Sequence, residues 1–221
     1  IFFNAGAHIQ HHYLFNSKYI KNLPKNPNWY VNKHSDPIED MLEVYDIIIG
    51  DYLKLSQNGN HLFISTGLRQ VPYSQKKFYY RLKNHSNFLK SIGLQFLKVS
   101  PRMTRDFEIT FDTEEDLINA KKILENIKFK KDNLKIFGEI EKRSKSLFVT
   151  LTYPHEIKKD DYIIINEEIS LNFFNEVVFV AIKNGMHDNK GYVFCSPNSN
   201  LKTPKEPIHV SELHQMILNY F

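Results

Sequence analysis

The sequence predicts an α/β domain that is interrupted by a small α+β insertion. Short apolar runs alternate with stretches whose apolar residues recur at helical spacing, and between residues 96 and 157 the order changes to strand, helix, strand, strand. With 221 residues, 42% of them hydrophobic, the chain has enough material for the core of one domain. We therefore place the first part of the α/β core at residues 1–95, the insertion at 96–157 and the closing part of the core at 158–221.

The chain opens with the pattern of a strand, a turn and the start of a helix. The apolar run from Ile1 ends in Asn4, and a glycine turn separates Asn4 from His8. A short helix is predicted over 8–19, followed by a loop over 23–36 that is rich in Pro and Asn. Because the first residues have the pattern of a strand interior, we expect the amino-terminal part of the domain to precede Ile1.

A long amphipathic helix and a second strand are predicted next. Over 37–55 the apolar residues recur at helical spacing, with Asp36 as the expected N-cap and a proline in the first turn. The segment Asn58–Asn60, with glycine at its centre, is expected to end the helix. His61–Thr66 is then predicted to be a buried strand, which completes a helix-to-strand step typical of α/β domains.

The insertion and the closing part of the core are predicted from the same patterns. Phe107–Phe111 alternates like a strand, and Thr113, followed by three acidic residues, is expected to open a helix with a buried face from Leu117 to Ile127. Further strands are predicted at Leu134–Phe137, Leu147–Tyr153, Tyr162–Ile165, Val177–Ile182 and Tyr192–Cys195, and a closing helix at His209–Tyr220.

The composition excludes some classes of protein and leaves others open. The formal net charge is +4, with 25 acidic residues against 29 basic ones, so a polyanionic partner is permitted but not indicated. The single cysteine, Cys195, excludes an internal disulfide framework and a cysteine-based zinc site. No apolar run approaches the ~20 residues that a membrane span requires, so this segment is expected to have none.

Three segments at or near predicted strand ends are candidates for the functional site: Asn4–His12, Thr66–Gln70 and Gly185–Gly191. Open α/β folds bind ligands beyond the carboxyl ends of their strands, where such loops lie. Within the first segment we interpret His11 and His12 as flanking the site or lying on the helix surface.

Together these segments resemble the alkaline phosphatase superfamily, and within it the type I phosphodiesterase and nucleotide pyrophosphatase branch. In that family an Asp-x-x-x-His element after a core strand gives two ligands to one zinc ion, and Asn4–His8 has this position. Tyr45–Gly50 is similar to a family helix element, Asn184–Asn189 to the loop that closes the first zinc site, and the helix from His209 to the family's ending. The resemblance implies a three-layer α/β/α core whose amino-terminal part is missing from this sequence.

The resemblance also implies a reduced metal site. Its ligands would be Asn4, His8 and His187, with an amide in place of a carboxylate, which weakens zinc binding. The family's Asp-His pair, which holds a second zinc, corresponds here to Thr66 and Gly67, of which the glycine supplies no side chain. One divalent metal, zinc or manganese, is therefore expected, and the second metal site is expected to be lost.

Arginine side chains are expected to supply part of the missing positive charge. Two close metal ions normally stabilise the attacking and leaving oxygens of a displacement, and guanidinium groups bind phosphate and sulfate oxygens well. The expected anion-binding residues are Thr66, Arg69, Arg102 and Arg105, the last two in a compact basic turn. The family's nucleophilic Thr or Ser lies upstream of this sequence, so this chain alone is expected to be inactive.

The function that the resemblance implies is hydrolysis of small anionic phosphate or sulfate esters. One alternative is a non-catalytic relative that binds an anionic ligand or a protein partner, and another is a metal-independent transferase on the same scaffold. A nucleic-acid-binding module at 96–157 is less favoured, because that segment carries many acidic residues. The substrate, the oligomeric state and the compartment are left open.

Overall fold

The computed structural model describes residues 1–57, 59–165, 169–197, 199 and 203–219. It is a mixed α/β protein whose chain forms two compact units. The first unit combines Ile1–Gln75 with Asn184–Phe221, and the second is Lys76–Lys183. The insertion predicted at 96–157 lies inside the second unit, which extends beyond it on both sides.

The elements follow one another in this order. The helices are α1 (Ala5–Tyr13), α2 (Pro37–Ser56), α3 (His85–Ser91), α4 (Glu114–Asn126) and α5 (Val210–Leu218). The strands are β1 (Phe63–Ser65), β2 (Arg69–Leu82), β3 (Lys98–Pro101), β4 (Asp106–Thr110), β5 (Lys128–Phe129), β6 (Phe137–Arg143), β7 (Ser146–Leu151), β8 (Tyr162–Ile165), β9 (Ile169–Asn172), β10 (Val177–Asp188) and β11 (Val193–Cys195).

Helix α2 confirms the prediction for the long amphipathic helix. The Asp36 side chain accepts hydrogen bonds from the backbone amides of Ile38 (3.1 Å) and Glu39 (3.2 Å), and Pro37 is the first helical residue. Its buried face packs with α1 and the turn after it, through a small cluster that includes Leu14 and Met41. Of the predicted stop signal, Asn58 lies outside the described residues and Gly59 has the left-handed backbone (φ +82°) typical of such a position.

The predicted first strand is absent, and the next one differs from the prediction. Residues 1–4 form no strand, and the side chains of Ile1 and Phe2 are exposed. Strand β1 is shorter than predicted and half-buried rather than buried. It pairs antiparallel with β11, whereas the sequence pattern suggested the carboxyl edge of a parallel sheet.

The second unit is built from antiparallel sheets and an aromatic core. Its four-stranded sheet has the order β3-β4-β7-β6, and a three-stranded sheet has the order β5-β8-β9. The side chain of Thr113 caps α4 by accepting from the backbone amide of Asp116, which confirms the predicted helix start. The largest fully buried side chains described in this unit are those of Phe88, Phe107, Phe111, Phe129, Phe137, Tyr153 and Phe173.

Two long strands carry the chain from one unit to the other. Strand β2 begins in the first unit and ends in the second, β10 runs the opposite way along the chain, and the two pair with each other. The sequence pattern did not predict β2, α3 or β3. It also placed a loop at Gly185–Gly191, which is wrong for its first half, because β10 continues to Asp188.

The last helix, α5, agrees with the prediction in position. His209 is the N-cap of α5, and Glu212 reaches back to its backbone amide in a capping box. The predicted final residue, Tyr220, lies outside the described residues. Within the described part of the chain, none of the helices combines the length and the apolar character needed to cross a membrane.

Candidate functional site

Helix α1 is held tightly against α2 in the first unit. The backbone amide of Gly6 donates to the hydroxyl of Tyr45 at 2.7 Å, and Gly6 is buried. A Cβ atom at Gly6 would lie 2.9 Å from the Tyr45 hydroxyl and 3.2 Å from Sδ of Met41, closer than side chains normally approach. The glycine therefore permits the close contact of α1 with α2. This contact fixes the position of α1 and of the histidines that follow Gly6.

A buried pair of asparagines ties the end of α1 to β10. Asn184 is fully buried, and its Oδ1 accepts from the backbone amide of Phe15 (2.9 Å) and from Nδ2 of Asn26 (2.7 Å). Its own Nδ2 donates to Oδ1 of Asn26 at 3.1 Å, so the two amides bond reciprocally. Buried amides without such partners cost free energy, and here the bonds join the loop before α2, the turn after α1 and β10.

These contacts bring His11 of α1 beside His187 of β10. The two Nε2 atoms lie 3.0 Å apart, and the ring centroids are separated by 4.8 Å with an angle of 57° between the planes. The other ring nitrogen of His11, Nδ1, lies 3.1 Å from the carbonyl oxygen of Gly185. Because a carbonyl only accepts, Nδ1 carries the hydrogen and the lone pair of a neutral His11 ring is at Nε2, facing His187.

Gln70 is the third side chain at this point. Its Nε2 lies 3.0 Å from Nε2 of His11. Two nitrogen groups, one from Gln70 and one from His187, therefore face the single lone pair of that ring nitrogen. Oε1 of Gln70 is buried and has no hydrogen-bond partner among the described residues. If the Gln70 amide rotated by half a turn, Oε1 would point toward Nε2 of His11. A cation bound between the two imidazole rings would then be bonded by Oε1 of Gln70 and by Nε2 of both histidines.

A glycine makes the approach of α1 to β10 possible. A Cβ atom at Gly185 would lie 2.7 Å from the carbonyl oxygen of Gln10 and 3.2 Å from Oε1 of Gln70. Backbone atoms cannot move aside as the end of a flexible side chain can. Gly185 therefore permits the His11–His187 contact and, through its carbonyl, orients the His11 ring.

Arg69 lies in an ion pair at the start of β2, next to Gln70 in the sequence. Its Nε donates to Oδ2 of Asp188 at 2.7 Å, and its Nη1 donates to the hydroxyl of Tyr192 at 3.2 Å. The hydrogen bond from Arg69 lowers the pKa of the Asp188 carboxyl, and the bonds to Tyr192 and Asp188 raise the pKa of Arg69. Nη2 of Arg69 has no partner among the described residues, so it is the part of the guanidinium available to an anion.

Thr66 has a structural partner at the end of β1. Its hydroxyl accepts from the backbone amide of Tyr192 at 2.9 Å, and its own amide donates to the carbonyl of Tyr192 at the same distance. A Cβ atom at Gly191 would lie 2.1 Å from the Thr66 carbonyl oxygen, so only glycine fits there. The Thr66 hydroxyl therefore fixes the loop that follows β10, through its bond with Tyr192.

Of the metal ligands implied by the resemblance, His187 lies in the cluster formed by His11, His187 and Gln70. The other two, Asn4 and His8, lie elsewhere. Asn4 is the N-cap residue of α1, is exposed, and makes no capping bond with its side chain. His8 is exposed on α1, and its backbone amide donates to the carbonyl of Asn4. The partner of His187 is His11, three residues beyond His8. The sequence pattern indicated that His11 flanks the site or lies on the helix surface.

The remaining predicted anion-binding residues, Arg102 and Arg105, belong to the second unit. Arg102 forms an ion pair with Glu108, and the hydrogen bonds from Ser146 and Arg102 lower the pKa of that carboxyl. The guanidinium carbon of Arg105 lies 4.1 Å from the ring centroid of Tyr79. The sequence predicted these two arginines in one basic turn correctly, but it could not show that Arg102 is already paired.

The donor set of the cluster fits a divalent metal in part. Two imidazole nitrogens 3.0 Å apart can bond one ion, since zinc–nitrogen bonds are about 2.0–2.1 Å, and an amide oxygen can turn toward it. In the described residues no three His, Cys, Asp or Glu side chains are grouped as a metal site. A zinc ion that is held by these neutral groups would lack the carboxylate or thiolate of a tight site and would retain open positions.

Comparison with known proteins adds no family. No family model, no curated protein and no solved structure matches this chain.

Proposed function

We propose that this protein is a hydrolase of phosphate or sulfate esters, with an alkaline-phosphatase-like three-layer core and one divalent metal ion. The observation that carries the proposal is the 3.0 Å approach of the Nε2 atoms of His11 and His187, with Gln70 beside them. In place of the set Asn4, His8 and His187, the geometry supports His11 and His187 as the metal ligands and Gln70 as a neutral third donor.

The chemistry of the three side chains favours a cation at this point. Gly185 fixes the hydrogen of His11 on Nδ1, so Nε2 offers its lone pair, and His187 brings a second ring nitrogen to the same place. A divalent metal bound there would polarise a phosphoryl or sulfuryl oxygen as a Lewis acid. His187 is exposed and His11 half-buried, so the bound ion would be accessible to a substrate from solvent.

Arg69 is suited to hold the negative charge of an ester beside such a centre. Asp188 and Tyr192 fix two of its nitrogen atoms, which orients the guanidinium plane and leaves Nη2 for an oxyanion. A fixed guanidinium loses little conformational entropy when it binds, which favours recognition of phosphate and sulfate oxygens. Thr66 contributes indirectly, because its hydroxyl positions the segment that carries Tyr192.

Metal titration of this chain tests the proposal, since the resemblance assigns the nucleophile to sequence upstream. Calorimetric titration of the tag-free chain with zinc and with manganese should give about one bound equivalent of at least one of them. Loss of one metal ligand should weaken binding more than tenfold, since even outer-shell partners are worth about 10–100-fold. We expect this loss in His11→Ala and in His187→Ala, and unchanged binding in His34→Ala, an exposed loop histidine.

A second candidate is a non-catalytic relative that binds an anionic ligand without a metal. The observation that favours it is the guanidinium of Arg69, which Asp188 and Tyr192 orient through Nε and Nη1 so that Nη2 is left for an oxyanion. Absence of zinc and manganese binding in the same titration would reject the metallohydrolase and leave this candidate. Phosphate or sulfate binding that is lost in Arg69→Gln would then support it.

A further inference from the structure

We propose that Gln70 sets the charge of the site and thereby its substrate class, which is phosphate monoesters rather than phosphate diesters or sulfate esters. The inference rests on the proposed function, which it narrows, because it needs a divalent cation between His11 and His187. At pH 8 a phosphate monoester is a dianion, since its second pKa is about 6. Phosphate diesters and sulfate monoesters carry a single negative charge, so a side chain that controls the charge of the site can separate these classes.

All three donors at the site are uncharged. Nδ1 of His11 donates to the carbonyl of Gly185 at 3.1 Å, so Nε2 of this ring offers a lone pair, 3.0 Å from Nε2 of His187. The amide of Gln70 neither gains nor loses a proton in the range in which proteins are folded. A divalent cation that two imidazole rings and this amide bind keeps its full double charge, whereas a carboxylate in place of the amide would cancel one unit of it.

The acidic side chains of the described residues do not offset this charge. Among those residues, neither Asp nor Glu joins His11 and His187 in a group of three. The carboxylate nearest in sequence is that of Asp188, whose Oδ2 accepts from Nε of Arg69 at 2.7 Å and whose Oδ1 accepts from the amide of Asn189 at 2.9 Å. The negative charge of Asp188 is therefore compensated within its own ion pair, and the charge of a bound cation is left for the substrate.

Gln70 lies where either a neutral or a charged side chain could reach the cation. It is the second residue of β2, it is half-buried, and its Nε2 lies 3.0 Å from Nε2 of His11. Its Oε1 is buried without a hydrogen-bond partner among the described residues, and a cation would give this oxygen a partner once the amide turns. Because glutamate has nearly the shape of glutamine, position 70 allows the charge of the site to change with little change in its geometry.

The charge of the site decides how strongly it distinguishes a dianion from a monoanion. Coulomb attraction is proportional to the product of the two charges, so the preference for a dianion, on a logarithmic scale, is twice as large beside a double charge as beside a single one. The loss of hydration opposes the binding of a dianion. Because His187 is exposed, a bound ester keeps part of its hydration, and the attraction by the uncompensated cation favours the monoester.

Calorimetric titration of the chain at pH 8, loaded with one equivalent of zinc, compares methyl phosphate with dimethyl phosphate and methyl sulfate. Manganese replaces zinc if it is the ion that the chain binds. At constant ionic strength we expect methyl phosphate to bind about tenfold more tightly than either monoanion. The metal-free chain should not make this distinction, because the cation carries the charge that separates the esters.

Two substitutions of Gln70 separate its charge from its role as a donor. Gln70→Glu should tighten zinc binding, since zinc binds carboxylate donors well, and should reduce the preference for methyl phosphate to about threefold, because the net charge is halved. Gln70→Ala removes the donor without adding charge, so it should weaken zinc binding and retain the preference of about tenfold. A purely structural role of Gln70 would not change the two quantities in opposite directions.

Gln75→Glu is the matched control, because it adds the same charge to the same strand at an exposed position. Five residues of an extended strand span about 16 Å, beyond the Debye length of about 8 Å at physiological ionic strength. Zinc affinity and the preference for methyl phosphate should both equal those of the unaltered chain. Circular dichroism verifies the fold of each variant, and if Gln70→Glu does not fold, the comparison of the three esters in the unaltered chain still decides.

Metal binding without a preference for methyl phosphate overturns this inference and leaves the proposed metal site in place. A preference that persists undiminished in Gln70→Glu, or that Gln75→Glu lowers as much, also overturns it. Absence of both zinc and manganese binding overturns the proposed function and this inference together. A wrong substrate class and a wrong metal site therefore give different results.

Discussion

The two units of this protein are stabilised in different ways. The second unit buries a cluster of aromatic side chains almost completely, including Phe88, Phe107 and Phe173, each 0% exposed. The buried apolar side chains described in the first unit are few, and its interior includes the paired amides of Asn26 and Asn184. Directional hydrogen bonds and close backbone approaches thus define the first unit, where the histidine cluster lies, while apolar packing defines the second.

The largest effect is expected from a cavity in the aromatic core of the second unit. Phe88 packs edge to face with Phe137 and Phe173, and truncation of a buried phenylalanine costs about 3–5 kcal/mol. We expect Phe88→Ala to lower the free energy of unfolding by that amount in urea titrations followed by far-ultraviolet circular dichroism. Ile118→Ala on α4 is the matched control, because Ile118 is 58% exposed and should cost little.

The next effect is expected from the buried amides of the first unit. Asn184→Ala leaves the amide of Phe15 and both amide atoms of Asn26 without this partner, and an unsatisfied buried group costs about 1–3 kcal/mol. The fluorescence of Trp29, the one tryptophan of the sequence, reports on this unit. Unchanged unfolding by this probe would contradict the role assigned to the asparagine pair.

A glycine substitution tests whether the first unit depends on the close approach of α1 to β10. Gly185→Ala would bring a methyl group within 2.7 Å of the Gln10 carbonyl, and such overpacking costs about 1–3 kcal/mol. We expect weaker metal binding as well, because α1 must move away from β10. Gly50→Ala, where a Cβ atom would meet nothing within 4 Å, should instead stabilise α2 by about 0.5–1 kcal/mol.

The smallest effect concerns the half-buried pair of Arg69 and Asp188. Because Arg69 lowers the pKa of Asp188, the contribution of this carboxylate to stability is present above its unfolded pKa. It is lost as the pH falls through the lower folded value. Carbon-13 NMR titration should show the pKa of Asp188 rising toward its ordinary value in Arg69→Gln. An unchanged value would show that the pair does not persist in solution.

The elements that the sequence predicts best are those with a local signal. The helix after Asp36 and the helix after Thr113 have caps and apolar periodicity within a few residues, and both are confirmed. Strand β2 was missed because its central residues are polar and it contains Pro72, so neither alternation nor composition indicates 14 residues of strand. Ile1–Phe3 has strand composition but forms no strand, because composition alone does not fix a tertiary pairing.

From the sequence, the candidate site could be predicted only as a set of segments and not as contacts between individual residues. Histidines near both ends of the chain, at Asn4–His12 and in the segment around His187, indicated where donors are concentrated. That His11 rather than His8 meets His187 depends on contacts 174 and 176 residues apart, through Gly185 and the two rings. No local pattern encodes such contacts, and the unsatisfied oxygen of Gln70 is visible only in the folded chain.

We propose above that His11 and His187 together hold a cation. Proton–nitrogen correlation spectra of the imidazole rings, recorded before and after addition of zinc, measure this directly at each nitrogen. We expect the Nε2 resonances of His11 and His187 to shift together, with saturation near one equivalent, while those of His8 stay unchanged. A shift of His8 with His187, or no shift at His11, would contradict the site as described.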